Sequence, residues 1–428
     1  MFRGFSQLFS KENKDLRKRL YLTLFCLGIF CLGTSVTVPW ATEMLKKLGN
    51  FDLGALAIFD IMSGGGLRNF SIFGLGVSPY ITASIITQLL EMDIIPYFKD
   101  LKDQGYVGRQ KINKINRYLG ILIGFFQAYV LCLFYMGDLA VIAKLQTALI
   151  MTAGTAFCLW MGDQITNKGL GNGQSMLIMA GIVLSMPSIF KNAFTGFVSA
   201  GTYGVLGSLF FGLFILIYVL IIIGIIWVQL AERRIPIQYA NRSTSAYGAA
   251  QSFLPIKLNA AGVIPVIFAS IVTTIPVTIA QLFGNTNVVN FINQYIVYTS
   301  PTGFLLYVVL ILFFGYFYTF LVMNPEEMSK NLNERGGYIP GVRPGKDTSD
   351  YIGGSMGKLT LVGSIFLAIL ASIPVLFTFV FSSNQILKTV TIGGTGILIV
   401  VGVAIETYKQ IESSLISRSY SAKRKRLR

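Results

Sequence analysis

An all-α polytopic membrane protein with ten transmembrane helices, five in each half, is the fold this sequence predicts. Ten apolar runs approach the roughly 20 residues that a helix needs to cross a hydrocarbon core of about 30 Å. Only 13% of the 428 residues are charged and 53% are hydrophobic, with a mean hydropathy of +0.64. Soluble domains carry about 25% charged residues. Lysine and arginine are also spread so unevenly over alternate loops that they fix an orientation.

The runs follow in order. A basic segment, 1–19, precedes the first run, 20–39. No small-residue cleavage site follows that run, so it reads as a spanning helix through which the chain inserts, not as a removed leader. The second run, 70–90, is long enough to span, but the apolar stretch before it is broken. Ser63, Gly64, Gly65 and Gly66 hold a helix poorly. Arg68 and Asn69 then place polar groups where a spanning helix should be dry. Irregular backbone at membrane depth survives only where it is buried in protein or lines a wet cavity. A short half-element before a full span therefore points to a pore or a transporter. Runs 118–136 and 145–161 supply the third and fourth helices, and the short fifth, 175–190, implies tilt or a broken end. These complete an N-terminal half over 20–203. Runs 204–230, 260–283, 303–323, 359–381 and 391–408 make a C-terminal half over 204–408, followed by a basic tail, 409–428.

With the N-terminus inside, 29 lysines and arginines fall on the inner side and six on the outer. This bias places both termini in the cytoplasm. The net charge of +16 also favours anionic lipids and acidic partners. Two long cytoplasmic loops, 231–259 and 324–358, mix positive charge with glycine and proline and suit docking of an acidic or RNA-bearing partner. The even five-plus-five split fits an inverted repeat about a central pathway.

Several function classes are excluded. Histidine is absent, so there is no histidine catalysis, proton relay or histidine metal site. Cys26, Cys31, Cys132 and Cys158 lie in apolar runs at no metal-ligand spacing and read as core residues. No cofactor, metal or catalytic residue is expected. Glu91, Asp163 and Glu406 lie near cytoplasmic ends, and no span centre holds a carboxylate or lysine, which counts against an ion-coupled carrier. Gly169–Gly173 is glycine-rich but opens a span rather than a strand-to-helix turn, so it makes a poor phosphate loop. A ten-span transporter of small solutes is the rival reading. Ile81 and Ile85 share one helix face after Pro79. Alone they would be packing residues, but a ring of such side chains from several helices makes a dry constriction that blocks ions by dewetting.

FSIFGLGVSPYITASIITQLL (70–90) resembles the second transmembrane helix of the SecY/Sec61α family of protein-conducting channels. QITNKGLGNGQSMLIMAGIV (164–183) resembles the family's segment around its fifth helix, and PIKLNAAGVIPVIFAS (255–270) its entry into the seventh. GVRPGKDT (341–348) resembles the tip of its last large cytoplasmic loop, and GGTGILIVVGV (393–403) its tenth helix. The motifs occur in order and at family spacing.

The resemblance implies two pseudo-symmetric five-helix halves around a central pore with a plug half-helix. The plug maps to about 56–69, including Ser63, Gly64, Gly65, Gly66, Leu67, Arg68 and Asn69. Its glycines and polar residues predict a short helix with few tight contacts and marginal local stability. The pore ring maps to Ile81, Ile85, Ile178, Ile267 and Ile399. Ser84, Gln88 and Gln127 are candidate polar residues of a lateral gate, with helix–helix hydrogen bonding as their alternative role. Arg343 matches a loop-tip arginine, and Arg233, Arg234, Arg242 and Lys346 join it as candidate docking residues for the motor ATPase SecA and the ribosome with its RNA. SecE and SecG-type small subunits, signal sequences and nascent polypeptides are the other implied partners, and the bacterial plasma membrane is the implied location. The chain departs from the family at Cys31, Gln174 and Met176, at Trp40, where a glycine is usual, and at Gly66 and Gly74, where alanines are frequent.

Overall fold

The computed structural model describes residues 14–40, 57–91, 95–136, 140–199, 206–239, 252–283, 291–292, 294–297, 300–380 and 394–426. Its helices are α1 (Lys14–Ser35), α2 (Ala57–Met62), α3 (Ser78–Leu90), α4 (Pro96–Asp103), α5 (Tyr106–Tyr135), α6 (Val141–Lys168) and α7 (Gly173–Phe194). These are followed by α8 (Leu206–Leu230), α9 (Ile264–Phe283), α10 (Pro301–Val322), α11 (Pro325–Glu334), α12 (Lys346–Val380) and α13 (Gly394–Arg426). Among the described residues, α5, α6, α7, α8, α10 and α12 are long and apolar enough to cross a membrane. The other four expected runs coincide with α1, α3, α9 and α13, so a helix stands at each of the ten positions.

Two runs differ in extent from the sequence reading. The second is helical only over Ser78–Leu90, not over 70–90. Pro79 has no N–H and a fixed φ, which suits the first turn of a helix. Before it, Phe70 and Gly76 have φ of 45° and 52° and break any helical path. The fifth run is longer than read. It spans 22 residues despite an internal Pro187 and closes in a π-helical turn, Thr195–Ser199. A proline inside a helix removes one backbone hydrogen bond, a loss this helix tolerates without ending.

The chain divides into two compact units. The first comprises Met1–Asn192, Thr274–Val297 and Ile399–Arg428. Its centre is α5, whose buried stripe of Ile112, Asn116, Gly120, Gly124 and Ala128 repeats every four residues. Gly120 lies against Tyr80, and Gly124 against Pro79, so α3 approaches α5 backbone to backbone. On the α6 side, Ala128, Leu131, Cys132 and Met136 share a core with Ala148 and Met151. Arg117 Nη2 meets Asp163 Oδ2 at 2.9 Å and ties α5 to α6. The turn between α6 and α7 is held from both sides: Leu170 N–H donates to Thr23 Oγ1 at 3.0 Å and Gly171 N–H to Gln410 Oε1 at 3.0 Å.

Trp40 adopts a φ of 67°, a left-handed conformation in which glycine is favoured. Tryptophan there therefore strains the backbone, by about 1–2 kcal/mol for an L-residue. Trp40→Gly and Trp40→Ala both remove the indole, but only the glycine relieves that strain. Trp40→Gly is expected to be about 1 kcal/mol more stable than Trp40→Ala, measured from thermal unfolding of the two purified variants in the same detergent.

The second unit comprises Ala193–Thr273 and Tyr298–Leu398. Here α8 packs on the π-helical turn, with Phe197 against Phe210 and Phe214. The two long loops are not separate. They pair into a three-stranded sheet of order β2-β1-β3, formed by β1 (Glu232–Tyr239), β2 (Ser252–Lys257) and β3 (Gly337–Tyr338). Ile235 and Ile237 alternate inward along β1 and meet Ile256, Leu332, Ile339, Ile352 and Met356 in one core. β1 tolerates Pro236 because β3 pairs only with Gln238 and Tyr239, so no partner on that side needs a proline N–H.

Candidate functional site

The described residues of the candidate plug are packed more closely than their glycines predict. α2 has six residues, and a left-handed turn at Gly64 (φ 73°) and Gly65 (φ 77°) reverses the chain after it. Beyond that turn, little of the backbone is left unbonded. Ser71 N–H donates to the Gly66 carbonyl at 2.8 Å, and Leu67 N–H to Ser63 Oγ at 3.3 Å. Val38 N–H donates to the Phe70 carbonyl and Ile72 N–H to the Val36 carbonyl, at 2.8 and 2.9 Å, which fastens the segment to the end of α1. Irregular backbone buried in protein must find such partners.

Small residues on the flanking helices allow the approach. A Cβ at Gly181 of α7 would lie 2.1 Å from the Met62 carbonyl oxygen, and one at Gly154 of α6 would lie 2.0 Å from that of Ile72. Ser63 and Leu67 are buried, while Arg68 and Asn69 are exposed. Phe73 stacks between Phe30 and Phe157 at ring-centroid distances of 6.1 and 5.9 Å. The expectation of few tight contacts is therefore corrected: 63–77 is a cross-braced segment, largely buried except at Arg68 and Asn69. Gly66 and Gly74 face each other, and a Cβ at Gly66 would stand 3.3 Å from Gly74 Cα. Residue 56 lies outside the described residues.

The five candidate ring residues occupy four helices. Ile81 and Ile85 are on α3, Ile178 on α7, Ile267 on α9 and Ile399 on α13. Ile85, Ile178 and Ile399 are buried, Ile81 and Ile267 are half-buried, and none is exposed. Of the gate candidates, Gln88 Nε2 donates to Ser84 Oγ at 3.3 Å, one turn back on the same helix. Gln127 is half-buried on α5.

The sheet and its core form a compact loop domain that presents the docking candidates. Arg343 is exposed in a turn set by Gly341 (φ 84°) and Gly345 (φ 103°). Thr348 Oγ1 donates to the Arg343 carbonyl at 2.8 Å, and Ser329 Oγ to that of Gly345 at 2.7 Å, so the tip is fixed from two sides. Lys346 is exposed on the first turn of α12. Arg233 is exposed on β1, whereas Arg234 is held by Glu232 at 2.9 Å. Arg242 lies outside the described residues.

This domain is joined to the membrane helices without a flexible break. α12 carries Ile352 and Met356 in the domain's core and runs on for 35 residues in all. Tyr316 OH donates to the Gly357 carbonyl at 3.1 Å and links α10 to α12. Phe268, the residue after Ile267, packs on Phe314 and Tyr318 of α10 at 5.2 and 6.1 Å. Sequence reasoning missed Gly154, Gly181 and Asp60. The signal for Asp60 was a lone carboxylate in the apolar half-element, eight residues before Arg68.

A family model described as SecY matches residues 71–408. The protein translocase subunit SecY of Bacillus licheniformis is 44% identical over 419 residues, covering 95% of this chain and 96% of that protein. The subunit of the same name from Halalkalibacterium halodurans is 43% identical and covers 98% of this chain and 99% of its own. Among solved structures, one described as a protein conducting channel superposes with a TM-score of 0.64 at 19% identity, covering 94% and 93% of the two chains. An idle yeast Ssh1 complex on the ribosome gives 0.65 at 16% identity, covering 92% and 89%. The matched region reaches from the bridge at Ser71 to the middle of α13, and it includes all five isoleucines and the Arg343 turn. By full-length identity and by fold, this chain belongs to the SecY family.

Proposed function

We propose that this chain is the channel-forming subunit of a bacterial protein translocase. It passes unfolded secretory proteins across the plasma membrane and releases transmembrane segments sideways into lipid. Ten helices cross the membrane with both termini cytoplasmic, and the chain performs no catalysis. The observation that carries the reading is the largely buried, irregular segment 63–77, held between spanning helices in a chain of SecY ancestry.

Ile81, Ile85, Ile178, Ile267 and Ile399 form the constriction. Branched apolar side chains keep it dry against ions yet give way to a passing polypeptide. Residues 57–69 plug the outer side while the channel rests. A signal sequence leaves laterally because apolar surface is favoured in lipid by about 25 cal/mol per Å², and Ser84, Gln88 and Gln127 line that exit. SecA or a ribosome, including its RNA, binds the exposed arginines of the loop domain and supplies the force. α12 and α10 give that force a stiff path toward Ile267. SecE and SecG-type subunits complete the complex, and anionic lipid meets the basic segments.

The test is reconstitution. Vesicles holding this chain with its SecE partner, SecA and ATP should protect an unfolded secretory precursor from added protease. A small-solute carrier would take up no precursor under any of these conditions, and that result would overturn the proposal.

A further inference from the structure

We propose that Asp60 and Arg68 form a latch that keeps the plug helix closed, which makes them gating residues of the channel. This inference rests on reading residues 57–69 as the plug. Asp60 is 6% exposed although it sits in an apolar six-residue helix. A buried carboxylate is costly unless it is paired and hydrogen-bonded. Arg68 supplies both needs: its backbone N–H donates to Asp60 Oδ1 at 2.8 Å, and its Nε stands 3.8 Å from Oδ2. Among the described residues, no other ion pair involves Asp60.

The two partners lie on opposite sides of the glycine turn. Arg68 belongs to the fastened side: its neighbour Leu67 sits in the core with Met151, and Ser71 bridges to Thr37. Asp60 belongs to α2, which is too short to be a stable helix by itself. The Gly64–Gly65 turn lets α2 swing with little backbone penalty. Swinging outward, α2 must break the hydrogen bond and the ion pair at the carboxylate. It must also break the bond of 2.8 Å from Gly65 N–H to the Asp60 carbonyl. In the open position water solvates Asp60, so the latch has two defined states. Arg68 is half-exposed, and an anionic or strongly hydrated passing segment can draw it away from its partner.

The test is resting conductance of the purified channel complex in planar bilayers. Asp60→Asn keeps the shape of the side chain, and Arg68→Gln keeps the backbone N–H bond. Each is expected to raise the open fraction by up to about fivefold, the scale of a partly exposed ion pair. Asp60→Asn combined with Arg68→Gln should add little to Asp60→Asn alone, because both remove one interaction. Arg68→Lys should stay near wild type, and deletion of 57–69 should leak more than any point variant. If the deletion leaks while Asp60→Asn and Arg68→Gln stay tight, the latch is wrong and the plug reading stands. Fully additive single effects would also overturn the latch. A deletion that leaves the current unchanged overturns the plug reading and the latch together.

Discussion

Arg343→Glu is expected to abolish SecA-driven translocation while leaving expression and association with SecE intact. The arginine stands at the tip of a turn whose two left-handed glycines and two hydroxyl-to-carbonyl bonds set its position. Its planar fork can grip a carboxylate or phosphate bidentately, which a lysine cannot do. Losing one partner of such a pair costs about 2–5 kcal/mol, and reversing the charge adds repulsion. The translocation rate should therefore fall at least about thirtyfold. The side chain is exposed, so folding should not suffer. Rate is read from precursor protection in reconstituted vesicles, and folding from co-purified SecE. Normal transport would remove Arg343 from the docking surface. Loss of SecE would point to misfolding instead.

The second large effect is expected from Ile399→Asn. Ile399 is 5% exposed on α13, and its neighbours Ile397 and Leu398 are buried as well. An amide in place of the branched side chain brings water to a dry constriction. An unpaired buried amide costs about 1–3 kcal/mol in proteins, and at the ring that cost falls on the closed state. The variant should pass precursors with defective signal sequences and show raised resting current. Wild-type behaviour in both measurements would mean that Ile399 does not face the conducting path.

The helices were legible in the sequence because lipid imposes a length and a polarity that composition alone reports. The second run was misjudged for a local reason. Phe70–Val77 is as apolar as a span, but Phe70, Gly76 and Pro79 divert the backbone, and periodicity does not register φ. The glycines at 64–66 were read as looseness. In the structure, the opposing glycines at 154 and 181 turn the same region into a close fit, a pairing that depends on residues about a hundred positions away. The two long loops read as separate basic surfaces suited to docking, and not as one folded unit, because Ile235, Ile237, Ile339 and Ile352 are too scattered in sequence to announce a shared core. Gln88 was a gate candidate, and only half of its amide is satisfied within its own helix: Nε2 bonds Ser84, while Oε1 is buried without a hydrogen-bond partner among the described residues. Trp40 was legible as a departure, and its left-handed φ is a conformation that favours glycine.

A pore lined by five isoleucines from four helices requires each of them to contact a polypeptide in transit. Photo-crosslinking tests it most directly. A benzophenone residue is placed in turn at positions 81, 85, 178, 267 and 399, with Trp227, which is 74% exposed on α8, as the control outside the ring. A precursor is stalled midway by a folded domain at its C-terminus. All five positions should crosslink to the stalled chain and position 227 should not. Crosslinking from 227, or silence at two or more of the five, would contradict a pore through this ring.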